Sequence, residues 1–353
     1  MSLTELSYYF RKYLPFAAFA FVTLLIFFYL MQVVFLIIAN NQSNTLTIDP
    51  IFKQLKPLVL KKEATTSAGF SFTLDTIEGQ PITATPTAQV FLFPPAKFQF
   101  DYLPKVYLMA KTLGFDTEVI KHKLVNNEAI FQDTTQRLAI DINTYNFRYD
   151  YDFRKDGELI DSLEISDQEV AQNTAINFLK SIDRYPQDLA QGKTNTVYMY
   201  YDKVASNAGI IESPQESNMI EIDFYRPDIA QAPAVSPSYF NSQNYVMMLP
   251  TRSGAKVVSA QVRYYDTSTT QIGIYPLMTG QRAYEKLLAG NGILVSEGSG
   301  KKNITIKKMF LGYFDPDIYQ DYYQPVFVFL GDDNFVSYVP AVSEKYLIDE
   351  NKL

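Results

Sequence analysis

The chain has no cysteine, no tryptophan and a single histidine among its 353 residues. Without cysteine there is no disulfide framework, no thiolate zinc or iron–sulfur site and no cysteine nucleophile. One histidine excludes His-rich metal sites and leaves His122 as the sole imidazole for any acid–base scheme. Glycine is scarce at 15 residues, and no Gly-rich phosphate loop or dinucleotide fingerprint occurs, so no cofactor is implied. Basic residues number 31 against 38 acidic ones, a net charge of −7. That balance argues against nucleic acid as a partner, because neutralising phosphates needs a clustered basic surface. What is abundant is aromatic: 26 tyrosines and 26 phenylalanines, on a chain long enough for about two domains of ~150 residues.

From Leu14 to Ala39 no residue carries a formal charge, and only Thr23, Tyr29 and Gln32 are appreciably polar. As a helix at 1.5 Å per residue the run reaches about 39 Å, more than the ~30 Å hydrocarbon core of a bilayer. A cleaved signal peptide has an apolar region of only about 7–15 residues, and no small-x-small site follows this one. The expectation is a single-pass transmembrane helix at residues 14–39, with the lipid bilayer as its partner. Arg11 and Lys12 abut its N-terminal end, whereas the next cations, from Lys53 onward, begin about 14 residues past its other end, still within the outer limit of the positive-inside rule but with less weight than adjacent charges. The positive-inside rule then places residues 1–13 in the cytoplasm and the C-terminal body outside the cell membrane. Absent cysteines fit a bacterial surface protein held by its core, since oxidising compartments permit disulfides without requiring them.

Residues 40–69, rich in Asn, Thr, Ser and Lys, read as a stalk with a weak helical stretch at Ile51–Leu60. Three helix signals follow. Pro104 opens the first, Val106, Met109, Ala110 and Leu113 make its apolar stripe, and Gly114 ends it. Ser166 and Glu169 form a capping-box pattern for the second, with Ala171, Ala175, Phe178, Leu179 and Ile182 as its buried face. Thr279 caps the third, which packs Ala283, Leu287 and Leu288 and stops at Gly290. Strands follow each helix. Tyr145 to Phe153 alternates aromatic with polar residues, Val258 to Tyr264 repeats the period of two, and Ile304 to Tyr313 continues it. Pro325–Leu330 and Phe335–Val339, joined by Gly331-Asp332-Asp333-Asn334, read as a hairpin. Pro227–Ser242 is a long loop. The expected fold class is α+β, with helix-plus-antiparallel-sheet modules at 70–160, 161–270 (with insertions) and 271–353.

Few residues carry chemistry. His122, between Lys121 and Lys123, lacks an orienting carboxylate and a nucleophile in any motif, so an exposed polar position is expected. Ser253-Gly254-Ala255-Lys256 matches Ser-x-x-Lys, but a strand pattern starts at Val257 where that motif needs a helix. Asp150, Asp152 and Asp156 with Gly157 resemble part of a calcium loop, yet Arg154 and Asp161 occupy its fifth and twelfth places. No metal site is expected. A looser acidic and tyrosine-rich loop remains, and its Asp315, Asp317, Tyr319, Asp321, Tyr322 and Tyr323 are the candidate interaction surface.

The last third, with helix Thr279–Leu288, strand Ile304–Lys308, the stretch Leu311-Gly312-Tyr313 and Gln324–Val342, resembles the small modules of PepSY-like domains. It is similar in the same way to the YycH/YycI type of membrane-anchored regulators of two-component signalling. The resemblance implies a non-enzymatic body that binds or restrains a membrane or envelope protein partner. An envelope glycan-binding protein or hydrolase, with Asp315 and Asp321 as its acid pair, is a second reading, and a structural component of an envelope or secretion complex is a third.

Overall fold

The computed structural model describes residues 14, 19–33, 46–58, 66–96, 101–165, 167–252 and 254–348. Two compact units divide the chain, Met1–Leu46 and Thr47–Leu353. In the first, residues 19–33 are helical (α1) with every residue exposed. There Thr23 Oγ1 donates to the Phe19 carbonyl at 2.9 Å, which satisfies its hydroxyl within the helix. Residues 15–18 and 34–39 of the expected span, and the whole of 1–13, lie outside the described residues. Among the described residues, no helix is long and apolar enough to cross a membrane.

The second unit is α+β. It opens with β1 (Ser71–Leu74) and β2 (Thr87–Leu92), then α2 (Leu103–Thr112), β3 (Lys123–Val125), β4 (Glu128–Gln132), β5 (Gln136–Asp141) and β6 (Phe147–Tyr151). Next come α3 (Gly157–Asp161), α4 (Gln168–Ser181), α5 (Gln187–Gln191), β7 (Thr194–Asp202), β8 (Asn207–Ile210), β9 (Met219–Phe224) and β10 (Ala234–Val235). They are followed by β11 (Tyr245–Thr251), β12 (Gly254–Val262), β13 (Ile272–Pro276) and α6 (Gly280–Leu288). The chain finishes with β14 (Ile293–Glu297), β15 (Asn303–Phe314), β16 (Tyr322–Tyr323), β17 (Pro325–Gly331) and β18 (Phe335–Pro340).

Local signals explain the helices. Pro104 sits in the first turn of α2, Gly114 takes the left-handed conformation (φ +88°) just beyond it, and Val106, Met109 and Ala110 are buried. At α4 the cap is Asp167, whose carboxylate accepts from Val170 N at 3.1 Å; the expected cap, Ser166, lies outside the described residues. Thr279 Oγ1 accepts from Arg282 N at 3.1 Å to start α6, which buries Ala283 and Leu287 but leaves Leu288 half exposed.

Nine strands form the largest sheet, in the order β3-β4-β5-β6-β12-β11-β9-β7-β8. Its strands after α2 and its strands after α4 are joined into one surface by antiparallel pairing of β6 with β12, Tyr149 opposite Ala260. Both helices lie on the same face, where Met109, Ala110, Ala171 and Leu179 meet Phe131, Phe147, Ile222 and Phe224. Each fully buried Met, Leu, Ile or Phe side chain contributes about 1.5–3 kcal/mol. A second sheet, β1-β15-β17-β18-β14 with β10 alongside β15, packs against α6, and β13-β2-β16 make a third. The hairpin of β17 and β18 forms as expected, Val328 opposite Tyr338, with Asp333 and Asn334 at positive φ in its turn.

Two expectations change. Residues 47–58 and 66–69, part of the expected stalk, pack into the body: Leu55 and Ser67 are fully buried, and Phe52 stacks on Tyr275. Phe52, Leu55 and Leu58 fall in the expected weak helical stretch, but Phe52 and Leu55 pack on the third sheet and the C-terminal segment, and Leu58 packs on the second sheet. The module boundaries are also crossed, since β1 pairs in parallel with β15, Ser71 opposite Asn303.

Candidate functional site

The six residues of the 315–323 segment separate into interior and surface groups. Asp315 is buried and accepts from Arg226 Nε at 2.8 Å and from Gln243 Nε2 at 2.7 Å. Tyr323 is buried beside the same guanidinium, its ring centroid 5.4 Å from Arg226 Cζ. Neither can present itself to a partner, because distant residues cover the turn that composition alone marks as solvated. Asp317 is half-buried. Asp321 pairs with Lys56 at 2.6 Å, and Tyr322 packs against Phe52 with centroids 5.0 Å apart. Tyr319 alone of the six is exposed; its hydroxyl donates to the Phe93 carbonyl at 2.9 Å.

Arg226, which no sequence signal marks, is the hub of this region. It is 2% exposed and also pairs with Asp188 of α5 at 3.3 Å, donates to the Tyr265 carbonyl, and lies 4.0 Å over the Tyr264 ring. Tyr264 in turn donates its hydroxyl to Asp188 at 2.8 Å. Burial is the largest single influence and works against the Arg226 cation, but the charge and hydrogen bond of Asp315 together with Tyr264 and Tyr323 outweigh it and hold the guanidinium protonated above its ordinary range. A guanidinium removed from water needs this many partners, since a buried charge left single is strongly unfavourable.

The segments tied by Arg226 wall a cleft of about 590 Å³. Tyr264 and Tyr265 follow the end of β12, Tyr185 and Pro186 precede α5, and Tyr319 comes from the segment after Asp315; Tyr145 and the Pro94-Pro95 pair complete the aromatic and proline lining. Tyr265 and Tyr319 meet edge to face at 5.7 Å. Burial lifts the Tyr265 phenol to about 12, so it is a neutral hydrogen-bonding ring at physiological pH. Charge enters the cleft through Arg184, Lys105, Asp183 and Asp266. Lys105 pairs with Asp183 at 3.1 Å and sits 4.4 Å over the Tyr145 ring.

No protein-family model matches the chain, and no curated protein is significantly similar to it in sequence. Solved structures give distant likenesses. A protein from Eubacterium rectale ATCC 33656 is 14% identical, at a TM-score of 0.36 over 87% of this chain and 96% of its own. YycH from Bacillus subtilis is 12% identical, at a TM-score of 0.34 over 72% of this chain and 53% of its own. The YpeB C-terminal domain of Bacillus megaterium is 13% identical, at a TM-score of 0.26 over 70% and 95%. Superpositions at this level do not fix a shared fold.

The remaining candidates resolve into structural roles. His122 is half-buried instead of solvated: Tyr107 lies edge-on at 5.5 Å and its hydroxyl is 3.2 Å from Nδ1. Ser253 lies outside the described residues, and Lys256 is on strand β12, so the helix of a Ser-x-x-Lys site does not form. Asp150 pairs with Arg148 at 2.8 Å, Asp152 with Lys155 at 3.1 Å, and Asp156 caps α3 through Leu159 N. Among the described residues, no group of three His, Cys, Asp or Glu could hold a metal ion.

Proposed function

We propose that the chain is a non-catalytic recognition protein that takes an extended segment of a protein partner into the tyrosine-walled cleft. The carrying observation is the lining itself: five tyrosines and three prolines around about 590 Å³, held by a buried ion network. Aromatic-lined grooves suit extended peptides because rigid rings give contact area at little entropic cost while their hydroxyls stay hydrogen-bonded. The hydrolase reading needs two carboxylates converging on one space, and Asp315 and Asp321 are each committed to a different cation. The same reading tethers the body to a bilayer through residues 14–39, its uncharged run being the support, with the body extracytoplasmic and the role regulatory or scaffolding.

Two experiments test this. A photo-crosslinker at Tyr319 or Tyr145 of the full chain in its membrane should capture the same protein, and one at exposed Ile77 should not. Recovery of glycan alone from both cleft positions would overturn the reading. For topology, the absence of native cysteine makes single introduced thiols unambiguous. Val204→Cys should react with an impermeant maleimide on intact cells, and Ser2→Cys only after permeabilisation; the reverse pattern would refute the orientation.

A further inference from the structure

Arg184 and Arg226 both line or underlie the cleft, yet their partner sets differ sharply. Arg226 has two carboxylates, a backbone carbonyl and a tyrosine face. The Arg184 side chain has one hydrogen bond among the described residues, from Nη2 to Asn146 Oδ1 at 3.1 Å, and that amide oxygen already accepts from Tyr264 N at 3.0 Å. Its Nε is shielded from solvent without a partner, and Arg184 forms no ion pair among the described residues. Burial pulls its proton affinity down, with Asp266 and Asp183 opposing only through their fields. A second shielded polar atom without a partner, Asn143 Oδ1, belongs to the same wall. A guanidinium offers five donors in a planar fork matched to carboxylates, so one engaged hydrogen bond leaves most of that fork unused.

The charge around it selects the ligand. Lys105 and Asp183 neutralise each other, and Asp266 stands exposed on the rim, so the lining has no excess of positive charge for a phosphate dianion. A singly charged carboxylate fits better. The unpaired acceptor at Asn143 suits a backbone N–H, and the tyrosine and proline walls suit the chain that would carry both.

We propose that Arg184 anchors a carboxylate borne by an extended peptide, either an acidic side chain or a free C-terminus, with Asn143 accepting a backbone N–H of the same segment. This rests on reading the cleft as the partner site. The test is a synthetic array of random peptides, each with free and amidated C-termini, probed with the full chain in detergent alongside acidic oligogalacturonate. Bound peptides should be enriched at least tenfold in Asp or Glu at one position, or in free over amidated termini. Arg184→Gln should abolish that preference. Arg184→Lys, which keeps the charge but not the fork, should weaken it, and Asn143→Asp should reduce acidic-peptide binding at least tenfold with Arg184 in place. Tyr319→Ala should weaken all peptides alike. Peptides that depend on Tyr319 but show no acidic or C-terminal preference, or a preference surviving Arg184→Gln, would overturn the inference and leave the cleft reading standing. Binding of no peptide, or of the oligosaccharide alone, would overturn both.

Discussion

Asp223 gives the most quantitative test of how this body is built. It lies on β9, every residue of which is buried, on the face opposite Ile220, Ile222 and Phe224. Its Oδ1 accepts from Ser242 N at 3.2 Å, while Oδ2 is shielded with no partner at full hydrogen-bond geometry, the Asn195 side chain giving the carboxylate only weak further support. Glu221, two residues away and therefore on the same face of the strand, accepts from Asn241 Nδ2 at 3.1 Å. Burial first, and the Glu221 charge second, push the Asp223 carboxyl from 3.8 up to about 7. Such a displacement corresponds to about 4 kcal/mol. Because the folded carboxyl holds its proton more tightly than the unfolded one, its contribution is fully present below pH 3.8 and is lost as pH rises through about 7. Asp223→Asn removes the titration. Its new amide N–H, buried at the Oδ2 position, costs about 1–3 kcal/mol, so the variant should be no more stable than the parent at pH 4. Relative to that baseline it should gain about 2–4 kcal/mol by pH 8. Urea unfolding across pH 4–8, followed by far-UV circular dichroism since the chain lacks tryptophan, measures this. A stability difference between parent and variant that stays constant with pH would refute the reasoning.

Asp315→Ala should destabilise the body by about 3–5 kcal/mol in the same assay, because it leaves the Arg226 cation buried with only Asp188 beside it. The double variant Arg226→Met with Asp315→Leu should lose less than the sum of the two single losses. Gly280→Ala would add a Cβ 2.1 Å from the Ile82 carbonyl oxygen, so its clash outweighs the gain in helix propensity of up to about 1 kcal/mol. A net loss of about 1–3 kcal/mol is expected by thermal melting. Thr279→Ala removes the α6 cap and should cost about 0.5–2 kcal/mol, with Thr279→Ser recovering most of it.

The elements readable in the sequence are those decided within a few residues. Pro104 and Gly114 bracket α2, Thr279 and Gly290 bracket α6, and the apolar runs around 331–334 make the last hairpin. What escapes sequence reading is decided far along the chain. The parallel pairing of β1 with β15 joins Ser71 to Asn303, and nothing in either segment names the other. Asp315 reads as a solvated turn residue until Arg226 and Gln243 cover it. Arg226 itself, before a proline at the start of a soft loop, has the appearance of an ordinary surface cation. Tyr319 and Tyr265 are legible as members of tyrosine clusters suited to contact, but Arg184, which shares their cleft, carries no local signal at all.

The location of the Arg226 network bears directly on the cleft above it. Three of the wall segments, 184–186, 264–266 and the one holding Tyr319, leave regular structure and would each sample many conformations alone. Asp188 fixes the first, the Tyr265 carbonyl and Tyr264 ring fix the second, and Asp315 fixes the third, all through one side chain. A buried ion network adds little net stability compared with an apolar core of the same volume. Its value here lies in geometry: a planar guanidinium holds its acceptors in fixed directions, so the walls are set before any ligand arrives and less ordering is needed on binding. Replacing the network with apolar residues could therefore preserve the fold while loosening the cleft, which separates its contribution to recognition from its contribution to stability.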